Sequence, residues 1–138
     1  MNPDRYTIKA QEILQQIARE ARSDGHPEVT PDHLAAALAS DASVGVPLLT
    51  RIGAPGGVVT AELASLVSRL PKVQGAGAET RFSPALVKVL DRAEEVAREF
   101  RDDYVAVEHL LLGLLRDGKS KAAELLKNDW GVACDIWS

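Results

Sequence analysis

Apolar positions near the N-terminus recur at helical spacing. Ala10, Ile13, Leu14, Ile17, Ala18 and Ala21 follow the i, i+3, i+4, i+7 rule, which places them on one face of an amphipathic helix turned toward a core. A second stripe consists of Leu86, Val89, Leu90, Ala93, Ala97 and Phe100, with mostly Lys, Asp, Arg and Glu between its members. Thr7 and Ser83 stand where N-caps belong, and Pro84 fits a first helical position because its missing N–H would be unpaired there anyway. Two further helices begin at Thr30-Pro31-Asp32 and Ala106-Val107-Glu108, and they present Leu34 and Leu38, or Leu110 and Leu114, inward. Thr30 is a good cap and Ala106 a poor one, while Asp32 and Glu108 lie in first turns, where the helix dipole favours a carboxylate by ~0.3–1 kcal/mol. Shorter helices are predicted near Val46 to Ile52 and Lys121 to Asp129. Another is predicted over Thr60 to Leu70, with Leu63, Leu66, Val67 and Leu70 as its stripe. Pro71 ends it, and Gly75 and Gly77 make 71–80 a linker. No alternation of period two competes, so the pattern predicts an all-α fold.

The pattern occurs twice. Arg5-Tyr6-Thr7 returns as Arg81-Phe82-Ser83, and Val29 through Leu34 returns as Val105 through Leu110, with His33 matching His109. Both spacings are 76 (81 − 5 and 109 − 33). Leu48-Leu49 answers to Leu125-Leu126 and Ile52-Gly53 to Trp130-Gly131, after small insertions. The chain therefore reads as a single domain over 1–138 built of two four-helix repeats. The first covers about 4–70, and the second, about 81–138, stops before its last helix, which makes seven helices in all.

Composition narrows the chemistry. A chain of 138 residues with 46% hydrophobic and 26% charged residues can bury a full core. A net charge of −4 offers no basic field for nucleic acid or an anionic membrane. The longest apolar run, Leu110 to Leu115, is far short of the roughly 18 residues needed for a membrane span. The single cysteine, Cys134, and a polar start from Met1 to Gln11 point to a cytoplasmic protein without an internal disulfide. Gly113 to Ser120 matches the phosphate-loop pattern G-x-x-x-x-G-K-S, yet its first residues continue an amphipathic helix where a nucleotide site would need a preceding strand. His33 and His109 lie beside Asp32 and Glu108, but adjacent helical residues point about 100° apart and no i, i+4 histidine pair exists to chelate a metal. Cys134 with a distant histidine lacks a preorganised setting for nucleophilic catalysis. A non-catalytic module without cofactor or metal follows, and what remains for function is surface. Ile8, Val87 and Val96, off the core stripes, are candidates to line it. Capping and the helix dipole alone also account for Thr7, Ser83, Asp32 and Glu108.

Several of these segments together resemble a known family. They are Asp4-Arg5-Tyr6-Thr7, Pro31-Asp32-His33-Leu34, Arg69-Leu70-Pro71-Lys72-Val73, Asp103-Tyr104-Val105 and Glu108 through Leu114. In order and spacing they look like the double Clp N-terminal repeat of ring-shaped, ATP-driven unfoldases, with the linker of the ClpB type. The resemblance implies a pseudo-two-fold helical domain that captures unfolded or aggregated polypeptide for AAA+ modules which this chain lacks. It implies substrate-binding roles for Thr7, Asp102, Asp103 and Glu108, with Leu90 and Leu110 in an apolar groove. A second implied reading is adaptor docking or phosphoarginine recognition as in the ClpC and ClpA types, with Asp32 and Glu108 as the acidic pair. Asp32 is one carbon shorter than the glutamate of that pattern.

Overall fold

The computed structural model describes residues 2–51, 53–54, 56–72 and 79–129. Most of the expected linker and the tail carrying Trp130, Cys134, Ile136 and Trp137 lie outside the described residues, as does the place where a fourth helix of the second repeat would start. A 3-10 turn over Pro3–Arg5 leads into α1 (Ile8–Ser23), followed by a two-residue strand β1 (Glu28–Val29) and α2 (Pro31–Ala39). Then come α3 (Gly45–Arg51), α4 (Gly56–Ser68), β2 (Arg81–Phe82), α5 (Pro84–Glu99), α6 (Val107–Asp117) and α7 (Lys121–Glu124), which passes into a π-helical turn over Leu125–Asp129.

Both long helices start where the caps predict. The Thr7 side chain accepts the Ala10 N–H at 3.2 Å and the Ser83 side chain accepts the Leu86 N–H at 3.0 Å. Their stripes enter one core with Leu34 and Leu38 of α2 and with Leu110, Leu114 and Leu115 of α6. Side chains of this size each contribute about 1.5–3 kcal/mol when fully buried. The α5–α6 pair is especially close because Gly113 has no side chain. A Cβ there would lie 2.7 Å from the Ala93 amide nitrogen and 2.8 Å from the Val89 carbonyl oxygen.

Three details differ from the pattern. Val96 is buried, while Phe100 is 45% exposed because it is the C-cap, where its side chain falls beyond the last turn. Helix α4 begins at Gly56, earlier than Thr60, because fully buried Val59 extends the stripe of Leu63 by one turn. A short parallel ladder also joins the halves, pairing Glu28 with Arg81 and Val29 with Phe82, and it is matched by an isolated bridge between Tyr6 and Val105. Ser83 donates to the Val29 carbonyl and Thr7 to the Val105 carbonyl, both at 3.0 Å. The offset of 76 converts one of these bonds into the other. Two residues are too few to leave an alternation in sequence, and the extended residues before each N-cap are what the ladder uses.

Candidate functional site

The two buried histidines turn out to finish helices. At the start of α2 the Thr30 N–H donates to His33 Nδ1 at 3.0 Å, and at the start of α6 the Ala106 N–H donates to His109 Nδ1 at 2.8 Å. Alanine at the cap position is tolerated because the imidazole three residues later satisfies the orphan donor. Since each Nδ1 accepts, each proton sits on Nε2. His33 Nε2 meets His26 Nδ1 at 2.9 Å, and His109 Nε2 meets an Asp102 carboxylate oxygen at 2.8 Å. Positions 26 and 102 are again 76 apart, so one half backs its histidine with an imidazole and the other with a carboxylate. The Asp102–His109 pair has the orienting half of a nucleophilic triad, but both ring nitrogens are engaged and none is left to take a nucleophile's proton. Burial, helped by His26 and opposed by Asp24 and Glu20, lowers the His33 pKa from 6.5 to about 4.

The expected binding residues separate into surface and interior. Thr7 caps α1 and is tied by its N–H to Val105, which places it beside the loop carrying the exposed carboxylates of Asp102 and Asp103. Half-buried Glu108 follows in the first turn of α6. Leu90 and Leu110, at 2% and 0% exposure, are part of the main core. Of the other candidates, Ile8 is 77% and Val87 45% exposed, and Val96 is interior. Asp32 is 8% exposed, with its Oδ1 accepting the Ala122 N–H of α7 at 3.1 Å. Burial raises its pKa, against the lowering effects of the Ala122 N–H and the Lys121 charge. An acidic pair reading phosphoarginine would need Asp32 to leave α7. Asp32→Ala, which strands that N–H, is expected to cost about 1–3 kcal/mol in denaturant unfolding, with Asp32→Asn costing less because the acceptor remains.

The loop from 100 to 104 stores some backbone strain. Arg101 has φ 59°, the left-handed region, in a helix-ending turn closed by Arg101 N–H to Arg98 O and Asp102 N–H to Ala97 O. The first half fills the corresponding place with Gly25, φ 76°. The phosphate-loop lookalike is a helix end. Gly113 to Asp117 belong to α6, Gly118 is its left-handed cap, and the Ser120 side chain caps α7 by accepting the Ala123 N–H.

Sequence reasoning missed an apolar pocket of about 170 Å³ between α1 and β2, lined by Tyr6, Gln11, Leu14, Gln15, Ala18 and Phe82 with Pro3 at its edge. Gln11 holds the N-terminal turn over it, donating to the Pro3 and Tyr6 carbonyls at 2.9 Å each. The repeat explains the space. Tyr6 is buried near Glu94 and Asp91, and burial first, then those carboxylates, push its phenol well above the usual range. The same offset replaces Tyr6 by Phe82, Glu94 by Ala18 and Asp91 by Gln15, so the first half lacks the hydroxyl and acid groups. A larger hollow of about 350 Å³ on the outer face of α5 is lined by Lys88, Arg92 and Arg98 against Asp91, Glu94 and Glu95, with no net charge.

Among the described residues no group of three or more His, Cys, Asp or Glu could hold a metal, and no helix is long and apolar enough to cross a membrane. Residues 5–129 match the family described as the Clp repeat (R) N-terminal domain. The chaperone protein ClpB of Corynebacterium diphtheriae is 40% identical over 122 residues, 87% of this chain, and that of Bdellovibrio bacteriovorus is 34% identical over 89% of it. The chain spans only 14% of the length of either relative. The Hsp104 N-terminal domain from Candida albicans superimposes with TM-score 0.77 at 23% identity, covering 94% of this chain and 84% of that one. The ClpV N-domain in complex with a VipB peptide superimposes with TM-score 0.75 at 20% identity, covering 96% and 81%. With the family match reaching from Arg5 to Asp129, the chain belongs to the Clp N-terminal repeat family.

Proposed function

We propose that this chain is the substrate-binding N-terminal domain of a ClpB-type protein disaggregase. It captures unfolded or aggregated polypeptide in the cytoplasm and hands it to AAA+ modules outside this chain, which hydrolyse ATP. The domain itself uses no cofactor. The observation that carries this reading is the pocket walled by Tyr6, Leu14, Ala18 and Phe82, an apolar recess rimmed by the amides of Gln11 and Gln15. One aliphatic or aromatic side chain fits a recess of this size, and its burial yields about 1.5–3 kcal/mol. Ordering a flexible client offsets part of that gain, so single contacts are weak and release is fast. The exposed carboxylates of Asp102 and Asp103 and the half-buried one of Glu108 would meet polar parts of the same client. The peptide seated on the ClpV N-domain is consistent with peptide capture by this fold.

An NMR titration with a permanently unfolded polypeptide tests the assignment. Shifts are expected at Tyr6, Leu14, Ala18, Phe82 and Thr7. Ala18→Glu, which installs the group the second half carries at Glu94, is expected to weaken binding at least tenfold while leaving the fold intact, because Ala18 is only half-buried. Absence of shifts at millimolar client, or shifts that Ala18→Glu leaves unchanged, would count against it.

A further inference from the structure

Among the described residues the sheet has two strands, in the order β1–β2, so the far side of β2 is an edge. The Arg81 and Ser83 N–H groups donate to the Pro27 and Val29 carbonyls on the β1 side, at 3.2 and 3.0 Å. Successive residues of a strand aim their backbone groups to opposite sides, so Phe82, between these two, turns its N–H and C=O outward. Among the described residues neither group has a hydrogen-bond partner. In the first half the same two groups are closed off. The Tyr6 N–H donates to the Pro3 carbonyl at 3.0 Å, and the Tyr6 carbonyl accepts the Gln11 side-chain amide at 2.9 Å. The offset of 76 puts Glu79 in the place of Pro3 and Val87 in the place of Gln11. Val87 is 45% exposed and its side chain has no donor, so it cannot repeat what Gln11 does.

We infer that the outer edge of β2 at Phe82 is a strand-addition site for an extended segment of client polypeptide, a mode of binding that presupposes client capture at the apolar pocket. In an antiparallel pair, two facing residues exchange both of their backbone hydrogen bonds. Such an exchange needs the outward N–H and C=O of one residue, and Phe82 supplies both. The facing client residue carries its side chain on the same side of the sheet as the Phe82 ring. That ring is a wall of the pocket, together with Leu14 and Ala18. Backbone and side chain of one client residue therefore meet a single residue of the domain. The chemistry selects the occupant. A folded protein has already paired its backbone donors and acceptors in its own helices and sheets, whereas an unfolded segment carries them unpaired beside its apolar side chains. Main-chain bonds are also indifferent to sequence, as a domain that meets many clients requires.

Hydrogen exchange and affinity, measured on the full chain with one synthetic peptide, test the site. The peptide is capped, about nine residues long, and alternates threonine and valine around a central phenylalanine with lysine at both ends, a composition that favours extended chain. At saturation, exchange of the Phe82 amide is expected to slow at least about tenfold, with the Tyr6 amide, already bonded, changing less than about twofold. Replacing the N–H of the central phenylalanine by an ester oxygen keeps every side chain and removes the donor to the Phe82 carbonyl, which is expected to weaken binding about fivefold. Val87→Gln copies Gln11 and fills that carbonyl, so amide and ester peptides should bind it equally, whereas Val87→Ala should keep them about fivefold apart. Equal affinity of the two peptides for the parent chain, with shifts at Leu14 and Ala18 retained, would overturn strand addition and leave client capture standing. A gap that persists undiminished in Val87→Gln would place the lost bond elsewhere and overturn it too. Absence of those shifts with the unmodified peptide would sink both readings. Phe82 protection that rises with protein concentration alone would assign the edge to a second copy and count against the proposal.

Discussion

Replacing Gly113 by valine is expected to lower the unfolding free energy by about 3 kcal/mol or more. The reason is geometric. A Cβ at 113 would meet the Ala93 nitrogen, the Val89 oxygen and the Ala93 Cα at 2.7–2.9 Å. All three are backbone atoms of α5, which cannot step aside as a side-chain tip can. Helices α5 and α6 would have to separate, and Leu90, Ala93, Leu110 and Leu114 would lose packing together. Gly113→Ala is expected to cost less, because alanine gains back about 1 kcal/mol of helix propensity over glycine. The first half has Ala37 at the corresponding place, so the demand for glycine belongs to the α5–α6 pair and not to the repeat. Urea unfolding followed by helical circular dichroism measures both changes, and a valine variant within about 0.5 kcal/mol of the parent would show that α5 yields more easily than its backbone contacts imply.

Leu110→Ala is expected to cost about 3 kcal/mol, lowering the melting temperature by ~10 °C. Leu110 is fully buried in the main core, and removing three of its carbons leaves a cavity that α6, pinned by Gly113, cannot close. Client binding by the folded fraction should be nearly unchanged. The pairing of a large stability loss with retained binding separates an interior role from a groove role. Thermal melts together with a titration below the melting temperature check it, and a tenfold loss of affinity with unchanged stability would place Leu110 back at the surface.

That prediction shows where the sequence was informative. Helical periodicity alone put Leu90 and Leu110 on inward stripes, and their burial agrees; family resemblance had placed the same residues in a groove. The caps at Thr7 and Ser83, the starts of α2 and α6 and the all-α class were equally legible, because local hydrogen bonding and a 3.6-residue period decide them. Less legible was whatever depends on residues meeting across the two halves. The pocket is lined by Phe82 together with Ala18, 64 positions earlier (82 − 18), and no local pattern encodes that meeting. Asp32 reads as an ordinary first-turn carboxylate, yet it reaches a backbone amide of α7. The histidines gave a usable sign in retrospect, since each stands three positions after an N-cap and Ala106 had no side chain of its own to do the capping.

The seam between the halves also bears on synthesis. Tyr6 bridges to Val105, β1 waits for β2, and Asp32 reaches its acceptor only when Ala122 has been made. As the polypeptide leaves the ribosome, α1 and α2 therefore emerge long before the segments that close over them. Such distant pairings slow folding relative to a bundle of purely local contacts. For most of its translation the nascent chain would expose the kind of apolar surface that the finished domain is proposed to recognise in other proteins.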